Sequence, residues 1–137
     1  MSLVLDASMA IAWLFGEVST EAADQVMRRV ATRGAFVPSL WRLEVANVLR
    51  SAVRRGRCDE GYADQSLGRL ARMPIRLDDE TDAHAWGAIR VLSREEDLTP
   101  YDAAYLELAL RRGLPMASND VALIAAAGRR GVENLAA

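Results

Sequence analysis

The sequence predicts a single α/β domain of three layers, with helices on both faces of a short parallel sheet of four to five strands. Three observations carry this expectation. Apolar runs of three to five residues recur along the chain, each followed by longer segments of helical spacing. The runs show no polar alternation, as parallel strands covered on both faces do not. The chain has 137 residues, close to one domain, and 1–137 contains no linker, repeat or low-complexity tract.

The elements follow in order. Leu3-Val4-Leu5 reads as a buried strand ending at Asp6, and Ser8 is placed to cap a helix running through Leu14 and Phe15. Thr20 opens a helix over 21–32, with Arg28 and Arg29 in its last turn as the helix dipole prefers, and Gly34 ends it. Ala35-Phe36-Val37 is a second strand. Ser39 caps a long helix over 40–55, stopped by Gly56. Asp59 or Glu60 opens a helix to about Met73, and Pro74 precedes a third strand, Ile75-Arg76-Leu77. Thr81 starts a helix carrying Ala85, Trp86, Ile89 and Leu92 at helical spacing. Thr99 and Pro100 start another, ending near Arg112-Gly113. A fourth strand over 115–118, a helix over 119–127 closed by Gly128, and a short fifth strand over 132–135 complete the chain.

Composition narrows the chemistry. Nineteen acids against 17 bases leave a net charge of −2, which excludes a globally basic nucleic-acid binder but not a local basic patch. Every base is Arg, so Schiff-base chemistry, a lysine phosphate loop and a response-regulator-like phosphoacceptor, which needs a Lys, all fall away. One cysteine, Cys58, and one histidine, His84, exclude an internal disulfide, a Cys-rich zinc site and a His-pair metal site. No apolar run approaches the ~20 residues of a membrane span, and the acid at Asp6 interrupts any signal peptide. The expected setting is cytoplasmic and reducing. Any metal ligands must then be carboxylates.

In a parallel α/β sheet the site lies beyond the C-terminal ends of the strands. Four acids stand there. Asp6 follows the first strand and Asp120 the fourth, Glu44 is one turn into the helix after the second, and Asp102 is in the first turn of its helix. Any of the three Asp residues alone could be a cap, and Thr99-x-x-Asp102 has the spacing of a capping box. Glu44 is different. It lies between Leu43 and Val45, sharing a face with Leu40, Asn47 and Ser51, so it must be paired, protonated or bound to a cation. Carboxylates that converge without His or Cys suit a hard divalent cation such as magnesium or manganese. Such an ion beside a phosphodiester polarises the phosphoryl oxygen and activates water, while a free carboxylate orients that water.

These segments together resemble the PIN-domain nucleases, and in particular the VapC-type toxins of type II toxin–antitoxin pairs. The resemblance rests on Leu3-Val4-Leu5-Asp6-Ala7-Ser8, Pro38-x-Leu40-x3-Glu44-Val45-x-Asn47-x-Leu49, Leu98-Thr99-x-Tyr101-Asp102-Ala103-Ala104-Tyr105-Leu106-x-Leu108-Ala109, and Ser118-Asn119-Asp120-x2-Leu123. They occur in the family's order over almost the whole chain. The resemblance implies a PIN-like α/β/α fold and a magnesium- or manganese-dependent endoribonuclease acting on structured RNA such as transfer or ribosomal RNA. Asp6, Glu44, Asp102 and Asp120 match the catalytic and metal-binding acids, and Ser8 and Ser118 the supporting hydroxyls. It further implies a homodimer and a small VapB-type antitoxin that lays an Arg or similar group into the acidic site. The alternative within the same fold is a PIN-domain RNA-processing or RNA-binding protein that is not a toxin. DNA-directed flap nucleases carry insertions that this length does not accommodate.

Other clusters have plainer readings. Asp78-Asp79-Glu80-x-Asp82 reads as an acid-rich helix start. Glu95-Glu96-Asp97 reads as solvated, and His84 as structural or exposed. Arg50, Arg54, Arg55 and Arg57 form a basic run beyond Glu44, within which Arg50 and Arg54 are candidate RNA contacts. Arg28, Arg29 and Arg33 form a second run. Trp13, Leu14, Phe15 and Trp41 are expected in the core.

Overall fold

A computed structural model describes residues 2–16 and 20–135; of Thr20 only the backbone is described, so the cap expected of its side chain lies outside the described residues. The sheet has four strands: β1 (Leu3–Leu5), β2 (Ala35–Val37), β3 (Ile75–Leu77) and β4 (Met116–Ala117). Their order is β3-β2-β1-β4, and every pairing is parallel. Leu3, Val4 and Leu5 are fully buried, as the unbroken apolar run of a central strand requires. The predicted fifth strand amounts to one bridge, Met116 with Asn134. β3 departs from the expected pattern: Arg76 and Leu77 are exposed because it is an edge strand.

Between β1 and β2 lie α1 (Ala7–Phe15) and α2 (Thr20–Arg33); α3 (Trp41–Arg54) and α4 (Glu60–Ala71) lead on to β3. These four helices pack in succession, α1 on α2 and α3, and α3 on α4. The return to β4 uses α5 (Thr81–His84), α6 (Ala88–Glu96) and α7 (Pro100–Arg112), and α8 (Val121–Arg129) follows. Here α7 is central, packing on α6, α8, β1 and β4. Its Ala103, Tyr105, Leu106 and Leu108 are fully buried, whereas Arg111 and Arg112 close its last turn before Gly113. The chain therefore moves outward from β1 to β3 and then returns to the opposite side of β1. That reversal falls between β1 and β4, which is where a crevice opens in such sheets.

Three local expectations are corrected. Asp6, not Ser8, occupies the N-cap of α1, because Ser8 turns its hydroxyl to Asp6 instead. Leu40, not Ser39, precedes α3; the Ser39 N–H and hydroxyl reach Thr81 and Asp82. The helix from Thr81 is broken over 85–87 into α5 and α6, and Trp86 is 92% exposed rather than on an apolar face. Gly87 sits at φ −104, ψ −106, a conformation outside the helix. By contrast Gly34 is required where it is. Its φ is +78, and an added Cβ would stand 3.1 Å from the Pro74 carbonyl oxygen, the acceptor that joins β2 to the chain before β3.

Candidate active site

β1 and β4 pair in a register that puts Leu5 beside Ala117, and the Asp6 N–H continues it by donating to the Ala117 carbonyl at 3.0 Å. Asp6 therefore stands next to Ser118. Its carboxylate is buried, and one oxygen, Oδ2, accepts from the Ser8 hydroxyl at 2.6 Å and the Ser118 hydroxyl at 2.7 Å. Those hydroxyls accept in turn from the Asn119 and Asp120 backbone N–H groups, at 3.0 and 2.9 Å. Asn134 holds Ser118 from behind: its Oδ1 accepts the Ser118 N–H at 2.9 Å and its Nδ2 donates to the Ser118 carbonyl at 3.2 Å.

The other acids arrive from helix starts. Asp120 is the N-cap of α8, and its Oδ1 accepts the Leu123 N–H at 2.9 Å. Asp102 is in the first turn of α7, where its N–H donates to the Thr99 hydroxyl at 3.1 Å behind Pro100. Glu44 is in the first turn of α3, and its Oε1 accepts from the fully buried Tyr105 hydroxyl.

The four carboxylates form one electrostatic group. Burial raises the Asp6 pKa, the two serine hydroxyls oppose that rise, and the charges of Asp102 and Asp120 add to it. Burial also raises Glu44, with Tyr105 opposing and Asp6 and Asp102 adding. Asp102 is raised by burial and by Asp120, with Thr99 opposing. Tyr105, buried beside the charges of Asp6 and Glu44, is held far above the ordinary phenol range and stays a donor. Among the described residues no Arg or His lies within 4.0 Å of any of the four carboxylates. The structure thus brings the four predicted acids within electrostatic reach of one another and sets both predicted serines on Asp6.

The donor set fits a hard divalent cation: carboxylate and hydroxyl oxygens and surplus negative charge, with no Arg or His of the described residues paired to it. Asp6 Oδ1 and Asp120 Oδ2 accept no hydrogen bond from a described residue and are open to a ligand. A different acidic cluster is tighter. Among the described residues, Asp78, Asp79 and Glu80 offer carboxylate oxygens all within 4.8 Å of one another. Asp78, however, is already satisfied by Arg111 at 2.6 Å, Arg112 at 3.2 Å and Thr81 at 2.8 Å. Burial works to raise its pKa, but the hydrogen bonds from Arg111, Thr81 and Arg112 outweigh that and hold it well below the usual carboxylate range. This cluster is an ion-pair network tying the end of β3 to α7. Glu95 and Glu96, expected to be solvated, are likewise paired, with Arg129 and Arg130 at 2.7 to 3.0 Å.

Two residues of the crevice escaped the sequence reading. Tyr105 had a signal, since it lies three residues after Asp102 on the same helical face. Asn134 had none, because it acts through a side-chain amide from the place of an expected strand. The candidate RNA contacts Arg50 and Arg54 are exposed on α3, away from the acids.

Residues 3–129 match the PIN domain family. The chain is a PIN domain. PIN domains are generally metal-dependent nucleases and typically bind RNA. The fold of this PIN domain is similar to the crystal structure of PAE2754 from Pyrobaculum aerophilum, with a TM-score of 0.72 and 23% identity over 98% of this chain and 84% of that one. No curated protein matches the chain. None of the described helices of this PIN domain is long and apolar enough to cross a membrane.

Proposed function

We propose that this PIN domain is a magnesium- or manganese-dependent endoribonuclease and acts as the toxin of a VapBC-type pair. The observation that supports the reading is the group of half-buried acids around the buried Asp6, unmatched by any cation among the described residues. Asp6 and Asp102 would hold the ion, with Glu44 and Asp120 completing its surroundings or orienting water. A divalent ion there supplies Lewis acidity toward a phosphoryl oxygen and activates water for attack. The chain's own residues do the positioning. Ser8 and Ser118 fix one Asp6 oxygen, which leaves the other turned to a ligand. Tyr105 fixes Glu44 in the same way.

The same charge pattern supports the partner. A VapB-type antitoxin that places an Arg among the four acids would supply the missing positive charge and block the ion. The toxin works in the cytoplasm as a homodimer, on structured RNA such as transfer or ribosomal RNA. The test is sequencing of RNA ends after brief induced expression, wild type against Asp6→Asn. New 5′ ends that depend on Asp6, together with growth arrest, support the reading. RNA ends identical in the two strains would overturn the nuclease; discrete cleavage without growth arrest would favour an RNA-processing role instead.

A further inference from the structure

We propose that α3 carries a second phosphate-binding site, which grips the RNA strand at a distance from the bond that is cut. The inference rests on the nuclease reading and adds to it where the strand runs. Glu44, Asn47, Ser51 and Arg54 are spaced at i, i+3, i+7 and i+10, so they share one face of α3. Ten residues of helix span about 15 Å, the length of roughly four stacked nucleotides at ~3.4 Å each. At the far end of that face, Asn47, Arg50, Ser51, Arg54 and Arg55 line a depression of about 440 Å³.

Its charge is the second observation. Arg111 and Arg112 pair with Asp78, and Arg129 and Arg130 with Glu96, so those guanidiniums are already neutralised by the fold. Around this depression only Arg50 has a carboxylate near, Glu60 at 3.8 Å, with both side chains about two-thirds exposed. Among the described residues no acid lies within 4.0 Å of Arg54 or Arg55. A helix C-terminus gains from a positive charge, but that gain does not call for a concavity with three guanidiniums and two short polar side chains. Guanidinium forks match phosphate oxygens bidentately, and Asn47 and Ser51 add neutral donors. The two ends of α3 thus have opposite tasks. The acidic end repels a phosphate until a divalent ion is present, whereas the arginine end attracts one without any ion.

Strand binding in EDTA therefore tests the site apart from catalysis. The probes are labelled, unstructured oligoribonucleotides of about four and about twelve nucleotides, read by fluorescence anisotropy at several salt concentrations. The wild-type chain should bind the long strand at least tenfold more tightly than the short one. In R54A/R55A that gain should collapse, and the slope of log affinity against log salt should fall by about 1.4, two phosphates at ~0.7 each. A deoxyribonucleotide strand should lose affinity equally, because the site reads phosphate and not the 2′-hydroxyl. Arg90→Ala, an exposed position on α6, should leave affinity and slope as they are, and circular dichroism checks that each variant is folded. Unchanged affinity and slope in R54A/R55A, or an equal loss in Arg90→Ala, overturns the proposal. Absence of metal-dependent cleavage by the wild type would instead strike the nuclease reading and leave the binding result standing.

Discussion

The Ser118 hydroxyl donates to Asp6 at 2.7 Å across 112 residues of sequence, while accepting the Asp120 N–H at 2.9 Å. One hydroxyl thereby orients one acid of the crevice and the backbone of another. Ser118→Ala leaves Asp6 with Ser8 alone and frees a buried N–H, which costs about 1–3 kcal/mol of stability. Urea denaturation of the metal-free chain measures it. A midpoint equal to wild type would show that the bond contributes nothing.

Folding stability should depend on pH in a definite direction. Asp6 and Asp102 have folded pKa values above their ordinary 3.8, and Glu44 above its ordinary 4.5. The unfolded chain therefore ionises first as pH rises, and from these three groups stability falls from about pH 4 upward until the folded forms have ionised. Asp78 works the other way: its folded pKa is depressed, so its stabilising effect is full above 3.8 and fades as pH drops below that value. The metal-free chain should melt highest in mildly acid buffer. Asp6→Asn should flatten the decline toward neutrality, and thermal melts across pH 4 to 8 read both effects. A wild-type melting temperature that rises steadily to pH 8 contradicts the coupled acidic group.

Magnesium or manganese should reverse that decline at neutral pH. An ion that binds only the folded chain stabilises it by about 2.7 kcal/mol at a hundredfold excess over its Kd. The rise should be present in wild type, lost in Asp6→Asn, and removed by EDTA. Equal rises in both proteins would place the ion elsewhere.

Tyr105→Phe keeps the buried ring and removes only the hydroxyl that holds Glu44. Outer partners of metal-binding groups are generally worth 10–100-fold in metal affinity. Manganese titration by calorimetry should show a loss of that order, with far-ultraviolet circular dichroism unchanged. Wild-type affinity in the variant would mean that Glu44 needs no such support.

Arg111→Ala tests the other acidic cluster. It leaves the fully buried Asp78 side chain with Arg112 and Thr81 alone and strips Glu107 of its partner. Breaking such a buried pair costs about 3 kcal/mol or more. Magnesium should not restore the loss, because Asp78 is held by guanidiniums. Full rescue by the ion would make Asp78-Asp79-Glu80 a metal site after all.

Much of this was legible in the sequence. β1 and β2 lie where their unbroken apolar runs placed them, and β3 lies at Ile75-Arg76-Leu77 as expected although Arg76 interrupts its run. The acids were legible because Asp6 and Asp120 stand at strand-to-helix transitions and Glu44 and Asp102 in the first turns of their helices. Pairing was not. Ser8 and Ser118 read as a cap and a strand end, and only the β1–β4 register makes them partners of one carboxylate. Trp86 and the break before Gly87 were missed because helical spacing continues through a residue that the backbone turns outward.

The crossing between β1 and β4 also sets a timetable. Asp6 leaves the ribosome 112 residues before Ser118, and Asp120 and Asn134 follow later still. A nascent chain that has not yet made β4 has the Asp6 carboxylate without the Ser118 hydroxyl that orients it. The site is completed when β4 slots in beside β1, so whatever chemistry it performs is withheld until residues 116–134 have been made.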